Sequence, residues 1–175
     1  LDVPVIPLDL PSYQKKENWG AAETLYQITR TLADTSVVSG RGNISGKRPS
    51  CNVLGATALG FRHRDDTREI CGLLTSLGIE INLIAPLDAS PSDFVTIGEA
   101  DFNLVLYPEI ADTTARWLEK TFGQHYTKTV PIGIGATREF IAEVAEFAKV
   151  TVPEGFEDSN LPWWSRSVDS NYLTG

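Results

Sequence analysis

Between Cys51 and Lys149, short apolar runs alternate four times with segments whose apolar residues recur every three or four positions. No other feature limits the possible folds so tightly. Cys51 to Gly55, Ile79 to Pro86, Phe102 to Tyr107 and Thr129 to Ile134 read as strands. Asp66 to Leu77 reads as a helix. Its apolar stripe is Ile70, Cys71, Leu73, Leu74 and Leu77, its start resembles a capping box (Asp66, Glu69), and Gly78 closes it. Ser90-Pro-Ser-Asp-Phe94 opens a short helix. Ala111 to Phe122 turns Ala111, Ala115, Leu118 and Phe122 inward and is closed by Gly123. Thr137 to Lys149 turns Phe140, Ile141, Val144, Ala145 and Ala148 inward. The run from Ile79 lacks a period of two, as expected of a strand covered on both faces. Four strands, each followed by a helix, predict an α/β fold, a Rossmann-like parallel sheet flanked by helices, over residues 51–152.

The flanks differ in character. Val3 to Leu8, punctuated by prolines, reads as an extended edge strand. Ala21 to Ala33 reads as a helix with Ala21, Leu25, Ile28 and Leu32 on one face and Asn18 as its cap. Residues 1–35 are therefore expected to end a preceding α/β domain. Residues 36–50 carry three glycines, four serines, three basic residues and no acid, which marks a loop or linker. Residues 153–160 are polar and acidic, and with the aromatic stretch to 175 they form a linker and tail. The chain has no methionine and begins inside an apolar segment, so it reads as an internal piece of a longer polypeptide.

Composition excludes several functions. A net charge of −8 opposes broad nucleic-acid binding, which needs a basic face to displace counterions. It also opposes docking on an anionic membrane. No apolar run approaches the roughly 20 residues of a membrane span. Cys51 and Cys71 form no CxxC pair, and with two histidines they are too few for a zinc site or for the four cysteines usual in an iron–sulfur cluster. They read as reduced, buried thiols.

Three stretches invite chemistry. Pro131-Ile-Gly-Ile-Gly-Ala-Thr137 carries a strand into a helix through two glycines. Such a turn can offer backbone N–H groups to an anion, or it can simply be tight. The dinucleotide fingerprint fails at Arg138, and no lysine completes a phosphate loop. Arg62-His-Arg-Asp-Asp66 follows the first strand and reads either as a solvated loop with a helix cap or as a contact to a subunit or substrate. His63 has no partner at a spacing suited to nucleophilic or metal chemistry. The third stretch is the tail, Leu161-Pro-Trp-Trp-Ser-Arg-Ser-Val-Asp-Ser-Asn-Tyr-Leu-Thr-Gly175, which has no amphipathic period. Its Asp169 could donate a proton if apolar walls such as Trp163 and Trp164 keep it protonated. Arg166, one helical turn earlier, would oppose this, and capping of a following helix is the other role open to Asp169.

These stretches resemble the B subunits of light-independent (dark-operative) protochlorophyllide reductases, a nitrogenase-like family. Glu17-Asn-Trp-Gly-Ala-Ala-Glu-Thr24, Leu59-Gly-Phe-Arg-His-Arg-Asp-Asp66, Phe122-Gly123, Pro131 to Arg138 and the tail match in the same order along the chain. The resemblance implies a nitrogenase component 1-like domain within a heterotetramer of N and B subunits. A reductase dimer (the L subunit) would feed the complex with electrons from ferredoxin, consuming ATP and carrying its own 4Fe-4S cluster. The reaction implied is reduction of the C17=C18 bond in ring D of protochlorophyllide, giving chlorophyllide a. A second 4Fe-4S cluster is implied at the N–B interface, held by three cysteines of N and one aspartate of B that precedes this stretch, so no residue here is assigned as a metal ligand. By the same resemblance, Asp169 is the catalytic proton donor, reaching the pigment from the neighbouring copy of B. The piece alone is expected to bind no cluster and catalyse nothing. The compartment implied is the plastid (chloroplast) stroma or the cytoplasm of a photosynthetic bacterium. The competing readings are a noncatalytic assembly or tetrapyrrole-binding module and, more remotely, an ordinary nucleotide-binding domain.

Overall fold

A computed structural model describes residues 5–11, 13–36, 47–58 and 60–156. Four parallel strands, β1 (Ser50–Leu54), β2 (Glu80–Ala85), β3 (Phe102–Val105) and β4 (His125–Tyr126), form one sheet in the order β2-β1-β3-β4. Four helices flank it: α1 (Glu17–Leu32), α2 (His63–Ser76), α3 (Pro108–Phe122) and α4 (Gly133–Ala148). The expected Rossmann-like layering is present.

Alternation along the strands divides the core into two. Leu54, Val105, Leu118, Phe122 and Leu25 pack on one face, under α1 and α3. Cys51, Val53, Phe102, Leu104, Leu74 and Phe140 pack on the other, under α2 and α4. All of β1 is buried, as befits a central parallel strand covered on both sides. Leu25 of α1, 1% exposed, lies in the same cluster as Leu118 and Phe122 of α3.

Helix ends follow local chemistry. Pro108 opens α3, where its missing N–H costs nothing, and Gly123 closes it at φ 73°. After α2, Gly78 at φ 77° lets its N–H and that of Ile79 return to Thr75 and Leu74.

Several expected boundaries move. Residues 129–132 form no strand, and Gly133 and Ile134 already belong to α4, which starts a turn before Thr137. The fourth strand is instead the pair His125–Tyr126. Two side chains take over the ladder beyond it. Thr127 Oγ1 accepts the Val105 N–H at 3.0 Å, and the Glu143 carboxylate accepts the N–H groups of Lys128 (2.8 Å) and Thr129 (3.2 Å). Helix α2 begins at His63, three residues before the expected capping box, with Arg62 ahead of it at φ 58°. Asn18 lies inside α1 and does not cap it. The short element after Ser90 is a 3-10 helix, Asp93–Glu99. Residues 5–8 of the expected edge strand are not in the sheet.

A row of amides, buried at Asn52, Asn103 and Gln124 and half-buried at Asn82, crosses the sheet under the 3-10 helix. Asn52 and Asn103 are direct partners across β1 and β3, and Asn52 Nδ2 donates to Asn103 Oδ1 at 2.8 Å and to the Ile97 carbonyl at 2.9 Å. Asn103 Nδ2 donates to Gln124 Oε1 at 3.1 Å, and Gln124 Nε2 donates to the carbonyls of Ile97 and Ala100. Asn82, skipped where the β1–β2 register slips, completes the row by donating to Asn52 Oδ1 at 2.8 Å. Every member has a partner, the condition under which buried amides fix a register instead of destabilising a core.

Candidate functional site

In the order β2-β1-β3-β4 the chain reverses direction across the sheet between β1 and β3, and ligands of open α/β sheets sit beyond the carboxyl ends of the strands at such a point. The two strand ends are close there. Gly55 follows β1 at φ 104°, and a Cβ on it would lie 2.9 Å from the Tyr107 carbonyl oxygen. Only glycine combines that backbone with that approach. Tyr107 precedes α3, and its hydroxyl donates to an Asp66 carboxylate oxygen at 2.8 Å, joining the end of β3 to the first turn of α2. Burial, and then the Asp66 carboxylate that receives its hydrogen, push the Tyr107 phenol up to about 12.

Beside this pair a cleft of about 440 Å³ opens between α2 and the segment leading into α4. Ile70, Leu106, Pro108, Val130, Pro131 and Ile132 give it apolar walls, and Asp66, Glu69 and Glu109 give it negative charge. Its size and its mostly apolar lining are those of a binding cleft. The glycine turn supplies one wall through Val130 to Ile132 and continues into the first turn of α4, where Gly133 takes φ 80°. The space around Gly133 and Gly135 is open. Sequence reasoning identified this turn and the 62–66 stretch, but not Tyr107. The signal for Tyr107 was its place at the end of the third strand, where the switch-point rule looks for function.

The 62–66 stretch divides its labour. Asp65 pairs with Arg62 (2.9 Å) and Arg68 (3.0 Å) on the surface, while Asp66 turns to Tyr107. His63 Nδ1 lies 2.7 Å from the Gly60 carbonyl oxygen, so Nδ1 carries the hydrogen. Its Nε2 is buried and meets no hydrogen-bond partner among the described residues. Asp169 and the whole tail lie outside the described residues, so the structure brings nothing to Asp169.

The described residues do not suit an iron–sulfur cluster. Cys51 is fully buried in the apolar cluster under α2 and α4, and burial holds its thiol well above the usual range. Burial also raises the Cys71 thiol, whereas a cluster ligand must be a thiolate. Among the described residues no group of three or more histidine, cysteine or acidic side chains is arranged to hold a metal. No described helix is long and apolar enough to cross a membrane.

The sequence pattern of the nitrogenase component 1 type oxidoreductases matches residues 1–175, so the chain belongs to that family. At the level of individual proteins, it is 59% identical over its whole length to the B subunit of the light-independent protochlorophyllide reductase of Rhodospirillum rubrum. It is 58% identical to the protein of that name in Bradyrhizobium sp. (strain ORS 278) and 57% identical to that of Roseobacter denitrificans. In each case the whole chain is covered but only 33–35% of the relative, so the chain spans about a third of their length. A solved structure of nitrogenase Cp1 at pH 6.5 superposes with a TM-score of 0.62 at 22% identity, covering 85% of this chain and 34% of the other. That likeness speaks for the fold.

Proposed function

We propose that the chain is part of the B subunit of a light-independent protochlorophyllide reductase. The observation that carries this reading is 59% identity along the entire chain to a protein of that name. The reaction assigned is the dark reduction of the C17=C18 bond of protochlorophyllide to chlorophyllide a. Its partners are an N subunit, with which B forms a heterotetramer, and an ATP-consuming reductase dimer supplied by ferredoxin. A 4Fe-4S cluster belongs to the assembled complex, with its ligands outside this chain. The relatives quoted are bacterial, which supports the cytoplasm of a photosynthetic bacterium over a plastid.

Within this reading, the described residues are scaffold and Asp169 supplies chemistry. Reducing a C=C bond adds two electrons and two protons. We assign one of those protons to Asp169, which must therefore be protonated before transfer. Apolar aromatic walls, from Trp163, Trp164 or the flat pigment itself, favour the neutral carboxyl by desolvating its charged form. A guanidinium beside the carboxyl, such as that of Arg166, would oppose this by favouring its ionised form. We likewise keep the division into residues 1–35, a linker at 36–50, the α/β unit at 51–152 and a tail at 153–175.

The test is reconstitution in darkness. The full-length protein is combined with the N subunit, the reductase dimer, ATP, an electron donor and protochlorophyllide. A chlorophyllide absorbance band that requires ATP and the reductase is expected. Pigment binding with no band would favour the noncatalytic module and overturn the assignment.

A further inference from the structure

The two sides of the cleft beside Tyr107 are held in different ways. On one side the Tyr107 hydroxyl ties the end of β3 to Asp66 in the first turn of α2, and Leu106 and Ile70 belong to the packed cluster under α2 and α4. The other side, Val130 to Ile132, belongs to no strand or helix. The ladder ends shortly before it, where the Thr127 N–H donates to the Asn103 carbonyl at 3.1 Å. From Lys128 to Ile132, no backbone hydrogen bond reaches β3 or α2 among the described residues. The backbone ties of this segment are two. The Glu143 carboxylate takes the N–H groups of Lys128 and Thr129, and the Ile132 N–H closes an internal turn on the Val130 carbonyl at 2.8 Å. The Lys128 ammonium also lies over the Tyr126 ring, where the segment leaves the sheet. None of residues 128–132 is buried, and Ile132 is 80% exposed. A segment with few buried contacts and few backbone hydrogen bonds opens at a lower free energy than the sheet it adjoins.

We propose that residues 128–132 form a strap that opens and closes this cleft, with Glu143 as its latch and Gly133 as its pivot. The latch stands on a fixed base, because Phe140 and Val144, on either side of Glu143 along α4, are fully buried in the core. One carboxylate holds two consecutive N–H groups, and bonds to a charged acceptor are stronger than neutral ones. At the far end Gly133 takes φ 80°, a conformation other residues adopt only with strain. The space around Gly133 and Gly135 is open, which leaves room for rotation there. Hinges of this kind are a few loop or helix-end residues that absorb a change in backbone angles. Opening requires no movement of the sheet, of α2 or of the Tyr107–Asp66 bond. Val130, Pro131 and Ile132 swing away as one wall, and Leu106, a cleft residue only 6% exposed, gains access to solvent. The strap is a property of the cleft alone, and the reaction assigned above has no bearing on it.

Amide hydrogen exchange and hydroxyl-radical labelling of the purified full-length protein test the strap. In the wild type, the Lys128 and Thr129 amides are expected to exchange at least about tenfold faster than those of Val53 and Leu104 in the central strands, because they open without global unfolding. Glu143→Ala is expected to raise the labelling of Leu106 roughly fivefold or more, and Glu143→Gln, which keeps one acceptor oxygen, to raise it by less. Phe102, 1% exposed, must stay unlabelled in the variants as proof that the domain remains folded. If Glu143→Ala fails that check, Glu143→Gln carries the test. Exchange of Lys128 and Thr129 as slow as that of the central strands would overturn the strap, since the segment would then open only with the whole domain. Leu106 labelling that stays at the wild-type level in a folded Glu143 variant would overturn the latch, even if both amides exchange faster. Since no outcome depends on turnover, failure here and failure of the assigned reaction remain distinguishable.

Discussion

Asn52 and Asn103 face each other across β1 and β3, both without solvent exposure, with Asn52 Nδ2 2.8 Å from Asn103 Oδ1. The pair joins Gln124 and Asn82 in a row of amides that spans the sheet. Asn103→Leu removes the donor to Gln124 Oε1 and leaves that oxygen buried and unpaired. Such a group costs about 1–3 kcal/mol. Urea unfolding should show a lower midpoint for Asn103→Leu than for wild type, with an unchanged slope. An unchanged midpoint would mean that the row contributes nothing to stability.

Gly55→Ala tests the closeness of the two strand ends. The new Cβ would meet the Tyr107 carbonyl oxygen at 2.9 Å, in a backbone conformation with φ 104°. Strain of this kind costs on the order of 1–3 kcal/mol. At about 2–4 °C per kcal/mol for a chain of this size, the melting temperature should fall by roughly 2–12 °C. A melting curve that overlays the wild type would show that the approach is loose.

The Tyr107 phenol predicts an alkaline limit to stability. An unfolded tyrosine titrates near 10, and the folded one is pushed up to about 12 by burial and by its bond to Asp66. The folded state therefore holds this proton more tightly than the unfolded chain does. The stabilisation is complete below about pH 10 and is lost as pH rises toward 12. Unfolding of wild type and Tyr107→Phe should differ by a constant amount up to about pH 10, and the wild type should then lose ground. A difference that stays constant to pH 12 would contradict the shift.

Much of the fold was legible because its signals are local. The stripe in α3 and the stop at Gly123 are written within 15 residues, and the structure keeps both. The fourth strand was misread because its signal is not local. Thr129 to Ile134 alternates in a strand-like way, yet Glu143, fourteen or fifteen residues later, takes the backbone N–H groups a ladder would need. The amide row was invisible for the same reason. Asn52 and Asn103 are 51 residues apart, and each alone looks like an ordinary polar residue. At the cleft, sequence marked the glycine turn and Asp66. It took Asp66 for a helix cap, because its partner Tyr107 lies 41 residues away. Asp169 was singled out by resemblance and by the chemistry of a protonated carboxyl, and it lies outside the described residues.

The central claim is tested most directly by one substitution in the full complex. Full-length protein, wild type or Asp169→Ala, is combined with the N subunit, the reductase dimer, ATP and an electron donor, and protochlorophyllide reduction is followed in darkness. A chlorophyllide band is expected from wild type and none from Asp169→Ala, with the pigment still bound by the variant. A band of equal rate from both would contradict the assignment of Asp169 as proton donor.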